Sequence, residues 1–350
     1  MQRKTRVTIK DVALRAGTSA ATVSYVLNDV KGRYITPEMR KNVEDAAKEL
    51  GYVKSMAASR LKGKRMGVVS FLTPQFDNHF FMEIFFAIEK IANEKGYVLS
   101  VCNTFDDPQH ERTVLERMNQ LWTDAVLIIP THQGAENTSY LRTHGIPFVS
   151  IERPLAEIQD YDFISSDNFL ASYRMTQYLI KKGHTRIALA YWDSKIINLD
   201  ERLAGYRQAL EENGISYDEN LVFRTKLTQR TEELSHAEGE RITKEVLKDP
   251  SISAVFYSQY VLAEGGIRYL RQAGKKIPED ISVCVLGGPR WTQVSPIRFT
   301  HIAQPGAAMG EMAAEIIFSK LENRLDKSYK QEKLDCTLVE GDSVKDIREI

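Results

Sequence analysis

From Met66 onward the chain alternates short, continuous apolar runs with amphipathic stretches, and the alternation runs through twice. In the first pass the apolar runs are 66–72, 97–103, 124–130 and 147–152, and helical spacing marks 80–95, 109–121 and 137–144 between them. The second pass has runs at 163–167, 186–191, 253–258 and 281–287, with helices expected at 169–182, 201–213, within 231–248 and at 261–273. Strands that are apolar on both faces and separated by helices specify a parallel sheet covered on both sides. Two passes predict two lobes with a cleft between them. Open α/β sheets bind ligands at the carboxyl ends of their strands, so that cleft is the place for a small molecule. A strand at 299–303, a helix at 307–321 and a strand-rich tail at 333–339 are expected to cross between the lobes.

The first 65 residues follow a different rule. Thr8 can cap a helix, with Asp11 three residues on closing a capping box, and Ile9, Val12 and Ala13 share one apolar face. Gly17 stops that helix, Ser19 caps a second one from Ala20 to Asn28, and Val23, Val26 and Leu27 fall on its inward side. Two short helices joined by a tight turn make a helix-turn-helix, whose second member is shaped for a DNA major groove. Thr36-Pro37 opens a third helix to about Leu50, and Gly51 ends it. The Ala-rich segment 55–61 is too short to hold a helix alone in water. It reads as a linker or as a hinge that folds on DNA, and the cations of Lys62-Gly63-Lys64-Arg65 favour the hinge.

Charge supports this division. With 47 basic and 47 acidic residues the whole chain is neutral, which taken alone argues against a nucleic-acid binder. The first 65 residues, however, hold 15 Lys and Arg against 6 Asp and Glu, so a +9 head precedes a −9 body. Cys102, Cys284 and Cys336 are odd in number, far apart and set in apolar text. They form neither a disulfide framework nor a metal site, which points to a reducing compartment, and no cofactor is expected. No apolar run approaches the length of a membrane span, and the polar start lacks the apolar core of a signal peptide. A cytoplasmic protein with no membrane partner is expected.

The ordered motifs resemble the lactose/galactose repressor family of bacterial transcription regulators almost from end to end. They are T-I-K-D-V-A-x-R-A-G at 8–17, A-T-V-S-x-V-L-N at 21–28, E-L-G-Y at 49–52, A-x-R-L-K at 58–62, D-N-x-F-F at 77–81, S-D-N at 166–168, K-K-G-H-T-R-I-A at 181–188, R-L-A-G-Y at 202–206, P-E-D-I-S-V at 278–283 and A-Q-P at 303–305. The resemblance implies an α/β protein with a three-helix helix-turn-helix head at 1–54, a hinge helix and linker at 55–65, and a two-lobed effector-binding and dimerisation domain at 66–350 that is like periplasmic binding proteins. Lobe 1 is expected at about 66–165 and 299–325, and lobe 2 at about 166–298 and 326–345. It further implies a homodimeric regulator, a repressor, on a palindromic double-stranded operator, with affinity set by a small molecule, a sugar or sugar derivative, in the cleft.

Carried over position by position, the resemblance puts Ala20, Ala21 and Tyr25 at the base edges, and Thr8, Ser19, Thr22, Ser24 and Asn28 at phosphates. Leu61 matches the leucine that wedges into the minor groove, flanked by Ala58 and Lys62. The chain departs from the family in its two alanines, in a loop before Thr36 about two residues longer, and in Val53-Lys54 where a proline is usual. For the effector the resemblance points to Phe80, Phe81, Asp167, Asn198 and Arg202, with Tyr260 and Trp291 as further wall residues. Relatives usually carry carboxylates where this chain has Gly287-Gly288 and Gln259-Tyr260, which leaves open a more aromatic pocket, an acidic effector paired with Arg202, or none.

An enzyme is the competing class. His79, His132, His144, His184, His236 and His301 could act as bases, but no nucleophile elbow, phosphate loop or paired carboxylates accompany them, so no catalytic residue is assigned. A solute-binding protein is the other alternative, and the basic helical head argues against it. No heptad repeat follows Lys333 to support a coiled-coil tetramer.

Overall fold

Short-range capping fixes the helices of the head. In the computed structural model, which describes residues 7–30, 32–52, 65–121, 123–156, 158–193, 196–226, 232–288, 295–322 and 328–348, α1 (Ile9–Arg15) starts at Thr8. The Asp11 carboxylate accepts from the Thr8 N–H and hydroxyl, each at 2.7 Å, and these bonds hold Asp11 below the usual carboxylate range. Gly17 turns the chain at φ +63°, and the Ser19 hydroxyl oxygen accepts from Thr22 N–H at 3.1 Å to start α2 (Ala20–Leu27). Thr36 caps α3 (Pro37–Glu49) in the same way. Val12, Val23, Val26, Val43 and Ala46 meet in a small core of their own.

The chain divides into two units, Met1–Met66 and Gly67–Ile350. In the second unit the expected alternation is present, except that the run at 163–167, expected to open the second pass, pairs with the strand at 148–151 in the first sheet. Lobe 1 is built from β1 (Val68–Thr73), α4 (His79–Glu94), β2 (Val98–Asn103), α5 (Pro108–Gln120), β3 (Ala125–Ile128), α6 (Gly134–Thr143), β4 (Phe148–Ile151) and β5 (Asp162–Ser166). Lobe 2 follows as α7 (Asn168–Lys181), β6 (Ile187–Tyr191), α8 (Ile197–Glu212), β7 (Val222–Arg224), α9 (Glu232–Val246), β8 (Ala254–Tyr257), α10 (Tyr260–Gln272) and β9 (Ser282–Leu286). The closing elements are β10 (Thr300–Ala303), α11 (Gly306–Glu322), β11 (Gln331–Leu334) and β12 (Thr337–Val339).

The first sheet has the order β11-β5-β4-β3-β1-β2 with all pairs parallel. The second has the order β12-β10-β9-β8-β6-β7, parallel except for the antiparallel edge strand β12. This pairing corrects the lobe limits read from the sequence. Strand 299–303 belongs to the second sheet, because β10 pairs with β9 from Thr300↔Cys284 onward, so the return to lobe 1 begins after Ala303. Residues 331–334, expected in lobe 2, pair with β5 in the first sheet. The chain therefore crosses between the lobes three times, at 166–168, 303–306 and 334–337.

Apolar strands are sandwiched between helices in both lobes, as their sequence requires. Ile84, Ile88, Met309, Ala313 and Ile317 of α4 and α11 cover one face of the first sheet, and Leu115 and Leu141 cover the other. In lobe 2, α9 and α10 pack closely enough that a Cβ on Gly265 would lie 2.0 Å from the His236 carbonyl oxygen, and one on Gly239 2.1 Å from that of Leu262.

Candidate functional site

In the head, α2 turns Val23 and Val26 inward and leaves Ala21 exposed, with Ala20, Thr22, Ser24, Tyr25 and Asn28 half-buried around it. Several of the polar groups assigned to phosphate are engaged locally. Thr8 is committed to Asp11, Ser19 Oγ lies 2.9 Å from Thr22 Oγ1, and the Asn28 amide donates to the Ser24 carbonyl at 2.7 Å. Arg15 pairs with Glu49 at 2.6 Å and Arg40 with Asp29 at 3.1 Å. Ala58, Leu61 and Lys62 lie outside the described residues.

In the body, a cleft of about 650 Å³, its open mouth included, lies between the carboxyl ends of the two sets of strands. Several wall residues follow strand ends: Glu152 directly beyond β4, Trp192 directly beyond β6, Tyr260 shortly beyond β8, and Phe80 and Phe81 in the first turn of the helix after β1. This is the geometry that parallel pairing dictates. Asn78 caps α4 and so aims Phe80 at the cleft, while Phe81, 5% exposed, is shared with the lobe 1 core. Asn198 and Arg202 come from consecutive turns of α8 and are buried, 5% and 6% exposed.

Asp167 does not join this wall. Its carboxylate accepts from Leu170 N–H at 2.8 Å as the N-cap of α7, a local task its position before the helix imposes. Trp291 lies outside the described residues. Gly287 has φ +99°, a backbone region that L side chains rarely adopt, and a Cβ on Gly288 would lie 2.7 Å from the His301 ring.

Sequence reasoning missed the residue at the centre, Glu152, which is 2% exposed and has φ +62°. Its Oε2 accepts from Ser166 N–H at 3.0 Å and from Ser166 Oγ at 2.6 Å. Its Oε1 accepts from the amides of Asn168 at 3.1 Å, Asn198 at 3.0 Å and Gln304 at 3.3 Å. Arg202 Nη2 is 3.7 Å away, and the same guanidinium donates to Asn168 Oδ1 at 2.8 Å and to the Ser258 carbonyl at 2.6 Å. Burial lowers the Arg202 pKa, and the nearby Glu152 carboxylate opposes that shift. The second guanidinium of the wall, Arg153, donates to Asp106 Oδ1 at 2.6 Å and to the Pro130 carbonyl at 2.9 Å. Both cations are thus balanced inside the wall. Asn198 Oδ1 is buried and accepts nothing among the described residues.

Among the described residues no three His, Cys, Asp or Glu side chains gather as metal ligands would, and no helix is long and apolar enough to cross a membrane.

A helix-turn-helix head on a chain whose body is a two-lobed, clefted α/β domain defines a class, the DNA-binding transcriptional regulators with an effector domain. Residues 8–55 match the bacterial regulatory proteins of the lacI family, and residues 176–344 match the periplasmic binding protein-like domain. The HTH-type transcriptional repressor PurR of Klebsiella pneumoniae is 30% identical over 341 residues, 97% of each chain. Among solved structures, a LacI-family regulator from Silicibacter pomeroyi superposes with a TM-score of 0.81 at 26% identity over 97% of this chain and 99% of its own. A complex of the transcriptional regulator CelR with cellobiose gives 0.70 at 26% identity over 97% and 100%. The chain belongs to the lacI family of bacterial regulatory proteins.

Proposed function

We propose that the chain represses transcription as a homodimer on a palindromic operator, and that a neutral, hydroxyl-rich molecule in the cleft sets its affinity. The balanced wall carries the effector half of this reading. Arg202 and Arg153 already face Glu152 and Asp106, so an acidic ligand would find no uncompensated cation there. The buried Asn198 Oδ1 instead calls for a donor such as a hydroxyl, beside the aromatic surfaces of Phe80 and Tyr260. The cellobiose held by the solved relative is of this chemical kind.

On DNA, Ala20, Ala21 and Tyr25 face base edges, with Thr8, Ser19, Thr22, Ser24 and Asn28 toward the backbone, and Leu61 kinks the duplex between Ala58 and Lys62. Two heads related by a two-fold axis occupy the two half-sites of the operator. The protein works without catalysing a reaction, in the cytoplasm, where Cys102, Cys284 and Cys336 stay as the free thiols seen in the structure.

Gel shift at fixed salt on DNA from the chain's own promoter region tests the reading, with neutral saccharides and small organic acids as added ligands. Preference for a palindrome over random duplex, altered by a saccharide and not by an acid, is expected. Equal affinity for palindrome and random DNA overturns it.

A further inference from the structure

The outward stripe of α2 is short of groups that can read a base. Ala21, Tyr25 and Asn28 follow at helical spacing on the side away from the buried Val23 and Val26, and the Asn28 amide is engaged by the Ser24 carbonyl. The alanine methyls at 20 and 21 neither donate nor accept, so the helix offers apolar contact and a single ring.

The loop that follows α2 returns a cation to this stripe. Arg33 Cζ lies 5.3 Å from the centre of the Tyr25 ring, within the range of cation–π attraction. Two other arginines of the head, Arg15 and Arg40, are paired with carboxylates. Arg33 is exposed, and among the described residues its neighbour is the Tyr25 ring rather than a carboxylate.

We propose that Arg33 is a base-reading residue of this head. Laid along Tyr25, its guanidinium donates two parallel hydrogen bonds to O6 and N7 of a guanine in each operator half-site, and Tyr25 is a positioning residue that supports it. The inference rests on the DNA-binding reading above. Guanine presents two acceptors side by side on its major-groove edge, and the planar fork of arginine matches them. Stacking on the ring restricts the side chain before DNA arrives, so less rotamer freedom is lost on binding.

The test selects operator duplexes from a randomised pool with the full chain, then measures affinity by fluorescence anisotropy at several salt concentrations. Arg33→Ala is expected to weaken binding to the selected operator roughly 5- to 150-fold for each half-site and to erase the preference for guanine at one position of each half-site. Arg33→Lys, which keeps the charge without the fork, rescues little of the loss. Tyr25→Ala reproduces the Arg33→Ala loss without adding to it in the double variant, and Tyr25→Phe, which keeps the ring under the guanidinium, loses far less than Tyr25→Ala. Thermal melts matching the parent show that the variants fold. If Arg33→Ala weakens selected and random duplexes equally and lowers the salt slope by about one for each half-site, Arg33 touches phosphate and the proposal falls. It falls also if Tyr25→Phe loses as much as Tyr25→Ala, since the hydroxyl would then be the reader. A parent chain that selects no sequence overturns the DNA-binding reading and this proposal with it, whereas a parent that selects while Arg33→Ala keeps the same site overturns this proposal alone.

Discussion

The Asn198 amide of lobe 2 donates to the Glu152 carboxylate of lobe 1 at 3.0 Å, a buried hydrogen bond that joins the lobes beside the cleft. Glu152 collects five such donors and balances Arg202. Glu152→Gln places an NH2 group against those donors and leaves the Arg202 charge buried without its counter-charge. A loss of about 3–5 kcal/mol is expected in urea unfolding of the full chain. An unchanged midpoint would show that the network does not hold the lobes.

Asn198→Ala removes, from a residue that lines the cleft, both the interlobe donor and a buried acceptor without a partner among the described residues. Operator affinity without ligand should stay close to that of the parent. The saccharide concentration needed to change operator binding should rise about tenfold or more, the consequence of one lost buried hydrogen bond. A titration curve superimposable on the parent's would remove Asn198 from the ligand site.

The α9–α10 crossing depends on two glycines that face each other's helix. A Cβ at Gly265 would meet the His236 carbonyl at 2.0 Å, and backbone cannot step aside as a flexible side chain does. Gly265→Ala and Gly239→Ala are each expected to destabilise lobe 2 by about 1–3 kcal/mol or more, read from thermal or denaturant unfolding. Wild-type stability in either variant would mean the helices are free to separate.

His184 makes stability depend on pH. It is buried, with Nδ1 2.8 Å from Ser253 Oγ and Nε2 3.1 Å from the Lys345 carbonyl, and burial pushes its pKa below the ordinary 6.5. The unfolded chain therefore takes up this proton more readily than the folded one, so stability contributed by neutral His184 is complete above pH 6.5 and declines as the pH falls below it. In His184→Gln that decline should be shallower between pH 6.5 and the lower, folded-state pKa. Parallel stability-versus-pH curves for parent and variant would exclude this role.

Much of the architecture was legible because short-range rules set it. Thr8 with Asp11, Ser19 and Thr36 each act within three residues of their own position, and strand and helix spacing announced both lobes. What escaped is made at a distance. Glu152 stands alone in the sequence, and its partners lie 14, 16, 46 and 152 residues away, beyond any spacing rule. The edge strand β7, three residues long, is too short to show a pattern. The sheet that β10 joins is decided by its pairing with β9 and not by its own composition. Asp167 was placed in the cleft by resemblance, while its immediate duty to α7 was the stronger local signal. On the head, the Arg33–Tyr25 contact spans a loop whose path no periodicity encodes.

The three crossings at 166–168, 303–306 and 334–337 also limit how the body can move and how it can be rebuilt. A door hung on one pin can swing and wobble in any direction; hung on three side by side, it keeps one swing and resists the rest. The same stitching makes each lobe a composite of separate stretches of sequence, so neither can be exchanged as an uninterrupted cassette, and a cut that removes the last twenty residues takes the edge strand from both sheets at once.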